Sequence, residues 1–229
     1  MAGAPRSYIA NQIFVGLPWK NVRPRYERII SKLETKYPVY FTIVGRNDGQ
    51  DAVGLFEVIK QRIESSSSAI FDATGGNANV SLEYGYAEGK EIPRSIFLSV
   101  HAASSNKKEH PIISDLSGHR RVQYKTEGTL AKELHKLCQS HDYTKRFELA
   151  LKEADRSLKK KGLKKRARSL GLKLIRQLDG VPKVRRAEIT QAMQAQKYSE
   201  NEIDWILKRF HEGGILHCSQ GRYSDVTVA

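Results

Sequence analysis

Between residues 11 and 139, short apolar runs alternate with stretches of helical period, and this alternation restricts the fold more than any other feature. Residues 11–16 (NQIFVG), 39–44 (VYFTIV), 69–72 (AIFD), 95–100 (SIFLSV) and 121–124 (RVQY) read as strands. Residues 26–33 (YERIISKL), 53–63, 80–88 and 130–139 read as helices. Strands separated by helices pair in parallel through crossovers, because a hairpin turn cannot return the chain to the same edge. The expected fold is therefore α/β: a flavodoxin- or Rossmann-like parallel sheet sandwiched by helices. Ligands of such sheets sit beyond the carboxyl ends of the strands.

After residue 143 the alternation stops. Helical patterns at 147–158, 164–178, 186–196 and 199–211 precede two short strand patterns, 215–218 and 223–228, with Gln220-Gly221 as the turn. Ser199 with Glu202 three residues on fits a capping box. Three helices and a terminal hairpin resemble a small winged helix. The expected division is an α/β domain over 1–143, a basic helical connector over 144–168, and a winged-helix-like module over 169–229.

Charge supports that division. Of a net +14, residues 144–186 supply +12, with 16 Lys/Arg against 4 Asp/Glu. Lys159, Lys160, Lys161, Lys164, Lys165, Arg166 and Arg168 form a density suited to a nucleic-acid backbone; the alternative is a solvated helical face. Arg185 and Arg186 extend the basic set. A winged helix reads DNA through its third helix, and here that helix opens with Glu200, Glu202 and Asp204, which repel phosphate. Nonspecific backbone binding is thus expected over sequence reading, and a homo-oligomer or a protein partner fits the module equally well.

No apolar run reaches the ~18 residues that would span a bilayer, and residues 1–6 lack the apolar core of a secretory signal, so the expectation is a cytoplasmic chain without membrane contact. Cys138 and Cys218 have no neighbours at metal spacing, and the seven histidines form no ligand pattern. No metal is expected.

Chemistry concentrates in residues 69–90, AIFDATGGNANVSLEYGYAEGK. A buried strand delivers Asp72 to its carboxyl end. Thr74, Gly75 and Gly76 form a turn whose backbone N–H groups suit a sugar or phosphate, and Asn77 and Asn79 offer amides for hydroxyls. Glu83 is expected in the first turn or so of the next helix, where the dipole favours a carboxylate. Gly16 and Trp19 follow the first strand and Arg46 the second, so Trp19 is placed to stack on a base and Arg46 to meet a phosphate. Each has a plainer reading: Trp19 as packing, Arg46 as a solvated loop charge, Glu83 and Asp72 as helix-start and turn residues.

A strand ending in Asp, a turn containing Asn and a helix carrying Glu-x-Gly-x-Ala resemble the superfamily of nucleoside 2-deoxyribosyltransferases and the TIR-like nucleotide-binding domains. The resemblance covers roughly residues 9–140 and is strongest from Asp72 to Lys90. It implies a catalytic role for Glu83, as a carboxylate that attacks or stabilises an oxocarbenium-like centre when an N-glycosidic bond breaks, with Asp72 orienting ribose or supporting Glu83. Two positions depart from the pattern: Asn77 stands where the transferases carry an acid, and Tyr84 where they carry Leu. Release of cationic nicotinamide needs no proton donor, which favours an NAD-type dinucleotide over a nucleoside; a noncatalytic nucleotide sensor and a nucleoprotein-assembly subunit are the alternatives. The combination of domains further implies a bacterial defence effector. No cofactor is required beyond NAD or another nucleotide as substrate or ligand.

Overall fold

A computed structural model describes residues 8–19, 22–45, 54–100, 121–157, 161–181, 183–219 and 225–229; residues 154–157 and 161–165 are described by their backbone alone. The chain divides into two compact units. The first comprises Met1–Tyr8, Gln12–Glu34 and Phe41–Leu137, and the second Ile9–Asn11, Thr35–Tyr40 and Cys138–Ala229.

The first unit is α/β. Strands β1 (Ile9–Gly16), β2 (Tyr40–Thr42), β3 (Ser66–Asp72), β4 (Arg94–Ser99) and β5 (Arg121–Tyr124) form one sheet in the order β2-β1-β3-β4-β5. That is the doubly wound, flavodoxin-type order, whose switch point lies between β1 and β3. β3, β4 and β5 pair in parallel, with Asp72 opposite Phe97 and Ile96 opposite Arg121. Helices α1 (Arg23–Glu34), α2 (Leu55–Glu64) and α3 (Ala78–Gly89) supply the crossovers from β1 to β4, and α4 (Glu127–Ser140) follows β5. Covered on both faces, β1 and β3 are buried nearly throughout their second halves, as continuous apolar runs of a parallel sheet require. Against β3 pack Phe14, Tyr84, Val80 and Ile63 in one cluster, with the Phe71 and Tyr84 rings edge to face at 5.5 Å.

Of the serine run at 65–68, which carries no strand signal, Ser65 caps α2 and the other three open β3. Gln12 Nε2 donates to Ser65 Oγ (2.9 Å) and Ser66 Oγ (3.0 Å), and Ser67 Oγ donates to the Gln12 carbonyl (2.8 Å). A strand of small hydroxyl side chains is held here by a partner that period-2 patterning does not reveal.

The second unit contains α5 (Asp142–Ser157), α6 (Lys161–Arg176), β6 (Val184–Arg185), α7 (Arg186–Ala195), α8 (Glu200–Glu212), β7 (Leu216–Cys218) and β8 (Asp225–Val228). Its strands form an antiparallel sheet in the order β6-β8-β7. Ser199 caps α8 in a complete capping box with Glu202. Phe147 and Phe210, with ring centroids 5.3 Å apart, lie in a core that also holds Leu170, Leu174, Ile189 and Ile206.

A connector over 144–168 is not what the fold contains. Phe147, Ala150 and Leu151 of α5 and Ala167 and Leu170 of α6 are buried, so these helices build the core of the second unit. Their apolar residues recur at helical spacing beneath the charge run, and burial of that stripe outweighs the solvation of the charges around it. The unit boundary falls after Leu137, not after residue 143. Two early segments join the second unit: Asn11 Nδ2 donates to Pro38 O (3.2 Å) and Asp179 Oδ1 (3.4 Å), and Arg176 Nη2 donates to the carbonyls of Tyr37 and Val39 (2.8 Å to Val39). Three of these four bonds join residues more than 130 positions apart, and such pairs leave no trace in a local pattern.

Among the described residues no helix is long and apolar enough to cross a membrane, and no group of three or more His, Cys, Asp or Glu is placed to hold a metal ion.

Candidate functional site

The first unit carries a cavity of about 220 Å³ at the carboxyl ends of β1 and β2, walled by α2 and α3. Its lining includes Gly16, Trp19, Asn79 and Glu83, so four of the residues expected at the site from sequence meet there. The rest of the wall is largely apolar, with Phe14, Ile43, Leu55, Phe56, Ile59 and Leu82.

Glu83 is the distinctive group. Only 9% of it is exposed, and its Oε2 is buried with no hydrogen-bond partner among the described residues. A Cβ added to Gly16 would stand 2.5 Å from that oxygen and 2.7 Å from the Phe71 ring, so the end of β1 approaches the carboxylate as only glycine permits. Burial raises the Glu83 pKa from the ordinary carboxylate value near 4.5 to about 7. The group therefore exists near neutrality in both protonation states, which suits it to proton transfer as the acid and to nucleophilic or electrostatic work as the anion. Glu83 is not in the first turn of its helix. Asn77 is the N-cap, the first turn holds no acid, and Glu83 falls in the second turn, where the dipole gives little. Helix-terminal electrostatics thus do not account for a carboxylate here.

Asp72 does something other than touch ribose. It is fully buried and does not line the cavity. Its Oδ2 accepts from the hydroxyls of Tyr26 (2.9 Å) and Tyr124 (2.8 Å), and its Oδ1 accepts from the Thr74 N–H (2.9 Å). Burial pushes the carboxyl up while the Thr74, Tyr124 and Tyr26 hydrogen bonds pull it down. Asp72 ties α1 and β5 to the end of β3 and starts the turn that launches α3.

That turn is likewise structural. Gly75 and Gly76 adopt φ of +77° and +60°, a left-handed pair that side chains resist. Thr74 Oγ1 accepts from the Ser99 N–H (2.9 Å), and Asn77 Oδ1 accepts from Asn79 N (3.0 Å) and Val80 N (3.3 Å). Thr74, Gly75, Gly76 and Asn77 do not line the cavity; they orient α3 so that Asn79 and Glu83 do. Arg46 lies outside the described residues.

Sequence reasoning passed over Arg23. It lines the cavity with its guanidinium 4.6 Å above the Trp19 ring, its Nε donating to Glu27 Oε1 (2.8 Å) and its Nη1 to Val44 O (3.2 Å). The Arg23–Glu27 spacing, i to i+4, was a signal, but of helix stabilisation only. Trp19 is 56% exposed, with the Arg23 guanidinium over its ring and Gly45 beside it.

In the second unit the candidate nucleic-acid residues separate. Lys159 and Lys160 lie outside the described residues, and Lys161, Lys164 and Lys165 are placed on α6 by their backbone alone. Arg166 pairs with Glu202 (2.5 Å), Arg168 with Glu148 (2.5 Å) and Arg186 with Asp204 (2.6 Å). The Arg166 guanidinium draws Glu202 down to about 2. Arg185 is the exposed N-cap residue of α7.

Comparison with protein-family models and with curated proteins gives no match to this chain.

Proposed function

We propose that the first unit binds a nucleotide in the β1–β2 cavity and cleaves or transfers at its N-glycosidic bond, with Glu83 as the group that attacks or stabilises the anomeric centre. The observation that carries this reading is Glu83 in the wall of the cavity, its Oε2 buried without a hydrogen-bond partner among the described residues, together with an exposed indole in the same wall. An unsatisfied buried carboxylate costs stability, and a catalytic role is one reason for keeping one. Trp19 offers a stacking face for the base, and the apolar wall excludes water from the centre that would react with it. An NAD-type dinucleotide is the favoured substrate, because its leaving group departs without a proton from an acid. Incubation with NAD, NADP and a nucleoside panel, with and without DNA, followed by chromatography for free base, tests the reading.

A noncatalytic nucleotide sensor is the second reading. It is favoured by one observation: among the described residues Glu83 is the cavity's sole carboxylate, so no separate general acid stands beside it.

The second unit reads as winged-helix-like. Supporting this are the path α6-β6-α7-α8-β7-β8 and the strand order β6-β8-β7. Nucleic-acid docking through the basic α5–α6 region goes with it, supported by the +12 charge of residues 144–186. Glu200, Glu202 and Asp204 weigh against α8 as a base-reading helix, and the Arg166–Glu202 and Arg186–Asp204 pairs offset part of that charge. Assembly with a second copy or a protein partner, a cytoplasmic setting and a defence role belong to the same proposal.

A further inference from the structure

We propose that Arg23 is the anion-recognising residue of the cavity, so that its ligand is a nucleotide carrying a phosphate and not a bare nucleoside. The inference rests on the nucleotide reading above and narrows it to phosphorylated ligands.

Among the described lining residues Arg23 is the one cation, and Glu83 the one anion. The Arg23 side chain is 13% exposed, and three interactions fix its plane: Nε to Glu27, Nη1 to Val44 O, and Cζ over the Trp19 ring. A guanidinium has five N–H donors. Two are engaged by these bonds, and Nη2 has no hydrogen-bond partner among the described residues. Glu27 does not line the cavity, so the neutralising carboxylate holds Nε while Nη2 is left for a ligand. A planar fork whose orientation is already set matches the oxygens of a phosphate, and little ordering entropy is lost on binding.

The cavity's polar ends then differ in kind. Arg23 favours an oxyanion, whereas Glu83 repels one when ionised. Between them the wall is apolar, with Leu55 and Phe56 on α2 and Leu82 on α3. A ligand with phosphate at one end and an uncharged or cationic heterocycle at the other satisfies both ends, and a nucleoside leaves the Arg23 fork without a partner.

Calorimetric titration of the full chain with adenosine, cytidine, guanosine and thymidine, and with their 5′-monophosphates and NAD, tests this. At least one phosphorylated ligand is expected to bind about tenfold or more tightly than its nucleoside, the scale of one hydrogen bond to a charged group. Inorganic pyrophosphate is expected to compete with it. With native circular dichroism, the preference is expected to fall towards unity in Arg23→Met and part of the way in Arg23→Lys, which keeps the charge but not the planar fork. Equal affinity for nucleoside and nucleotide in the wild type overturns the proposal whatever the variants do, as does a preference that survives both substitutions, or absence of binding by every probe. The two readings fail separately. Base release that needs Glu83 but shows no phosphate preference removes the Arg23 role alone; phosphate preference with no base release removes the catalytic reading alone.

Discussion

Glu83 Oε2 occupies a space that exists because residue 16 is glycine: a Cβ there would come within 2.5 Å of the oxygen. The carboxylate on α3 and the end of β1 are therefore a single fitted unit, and neither position tolerates change without the other responding.

Gly16→Ala is accordingly expected to displace the Glu83 carboxylate and press on Phe71, which a Cβ would meet at 2.7 Å. Overpacking of this kind costs about 1–3 kcal/mol. Urea unfolding should show that loss, and base release or nucleotide binding should fall with it. Adding Glu83→Ala to the same chain should restore part of the stability, because one of the two clashes is gone.

Stability should also depend on pH through Glu83. Its folded-state pKa is raised to about 7, so its protonated form favours the fold; the contribution is complete below the unfolded value near 4.5 and is lost as pH rises through about 7. Glu83→Gln cannot ionise and should be spared this loss. Between pH 4.5 and pH 8 the wild type should therefore lose stability relative to Glu83→Gln by an amount on the order of 3 kcal/mol, read by denaturant unfolding at each pH. If ionised Glu83 performs the chemistry, base release should rise with pH through about 7.

Tyr124→Phe separates structure from site at Asp72. It removes one of the two hydroxyls that Asp72 Oδ2 accepts. A stability loss of about 1 kcal/mol is expected, with nucleotide affinity unchanged, because neither residue lines the cavity. A larger effect on binding than on unfolding would return Asp72 to the ligand.

Much of this was legible from residue patterns, and the exceptions share a cause. The 3.6 and 2 periodicities located the α/β alternation, and Ser199 with Glu202 located the start of α8, because both are local. Glu83 stood out through its neighbours in the chain. Asp72 and Asn77 misled because a turn acid and a turn amide look the same whether they face a ligand or a backbone N–H; only Tyr26 and Tyr124, 46 and 52 residues away, decide it for Asp72. Arg23 was missed because its environment is assembled from Trp19, Glu27 and Val44, and the α5–α6 core because charge drew attention from the apolar stripe beneath it.

Salt dependence tests whether the lysines between residues 159 and 165 neutralise phosphate. Replacing Lys159, Lys160, Lys161, Lys164 and Lys165 with Gln should weaken nucleic-acid binding and flatten its salt slope by roughly 0.9 for each phosphate that is no longer neutralised. Arg168→Gln and Arg186→Gln should change the slope little, since Glu148 and Asp204 already hold those side chains. An unchanged slope in the five-lysine variant would rule out an electrostatic role for this region.

Chromatographic assay of base release from NAD by wild type and by Glu83→Gln at pH 8, with DNA present and absent, bears most directly on Glu83 as the reacting group. The expected result is free nicotinamide from the wild type and none above background from Glu83→Gln, with nucleotide affinity retained by the variant. Equal release by both proteins would contradict a catalytic Glu83, and no release by either, with nucleotide still bound, would make the cavity a sensor.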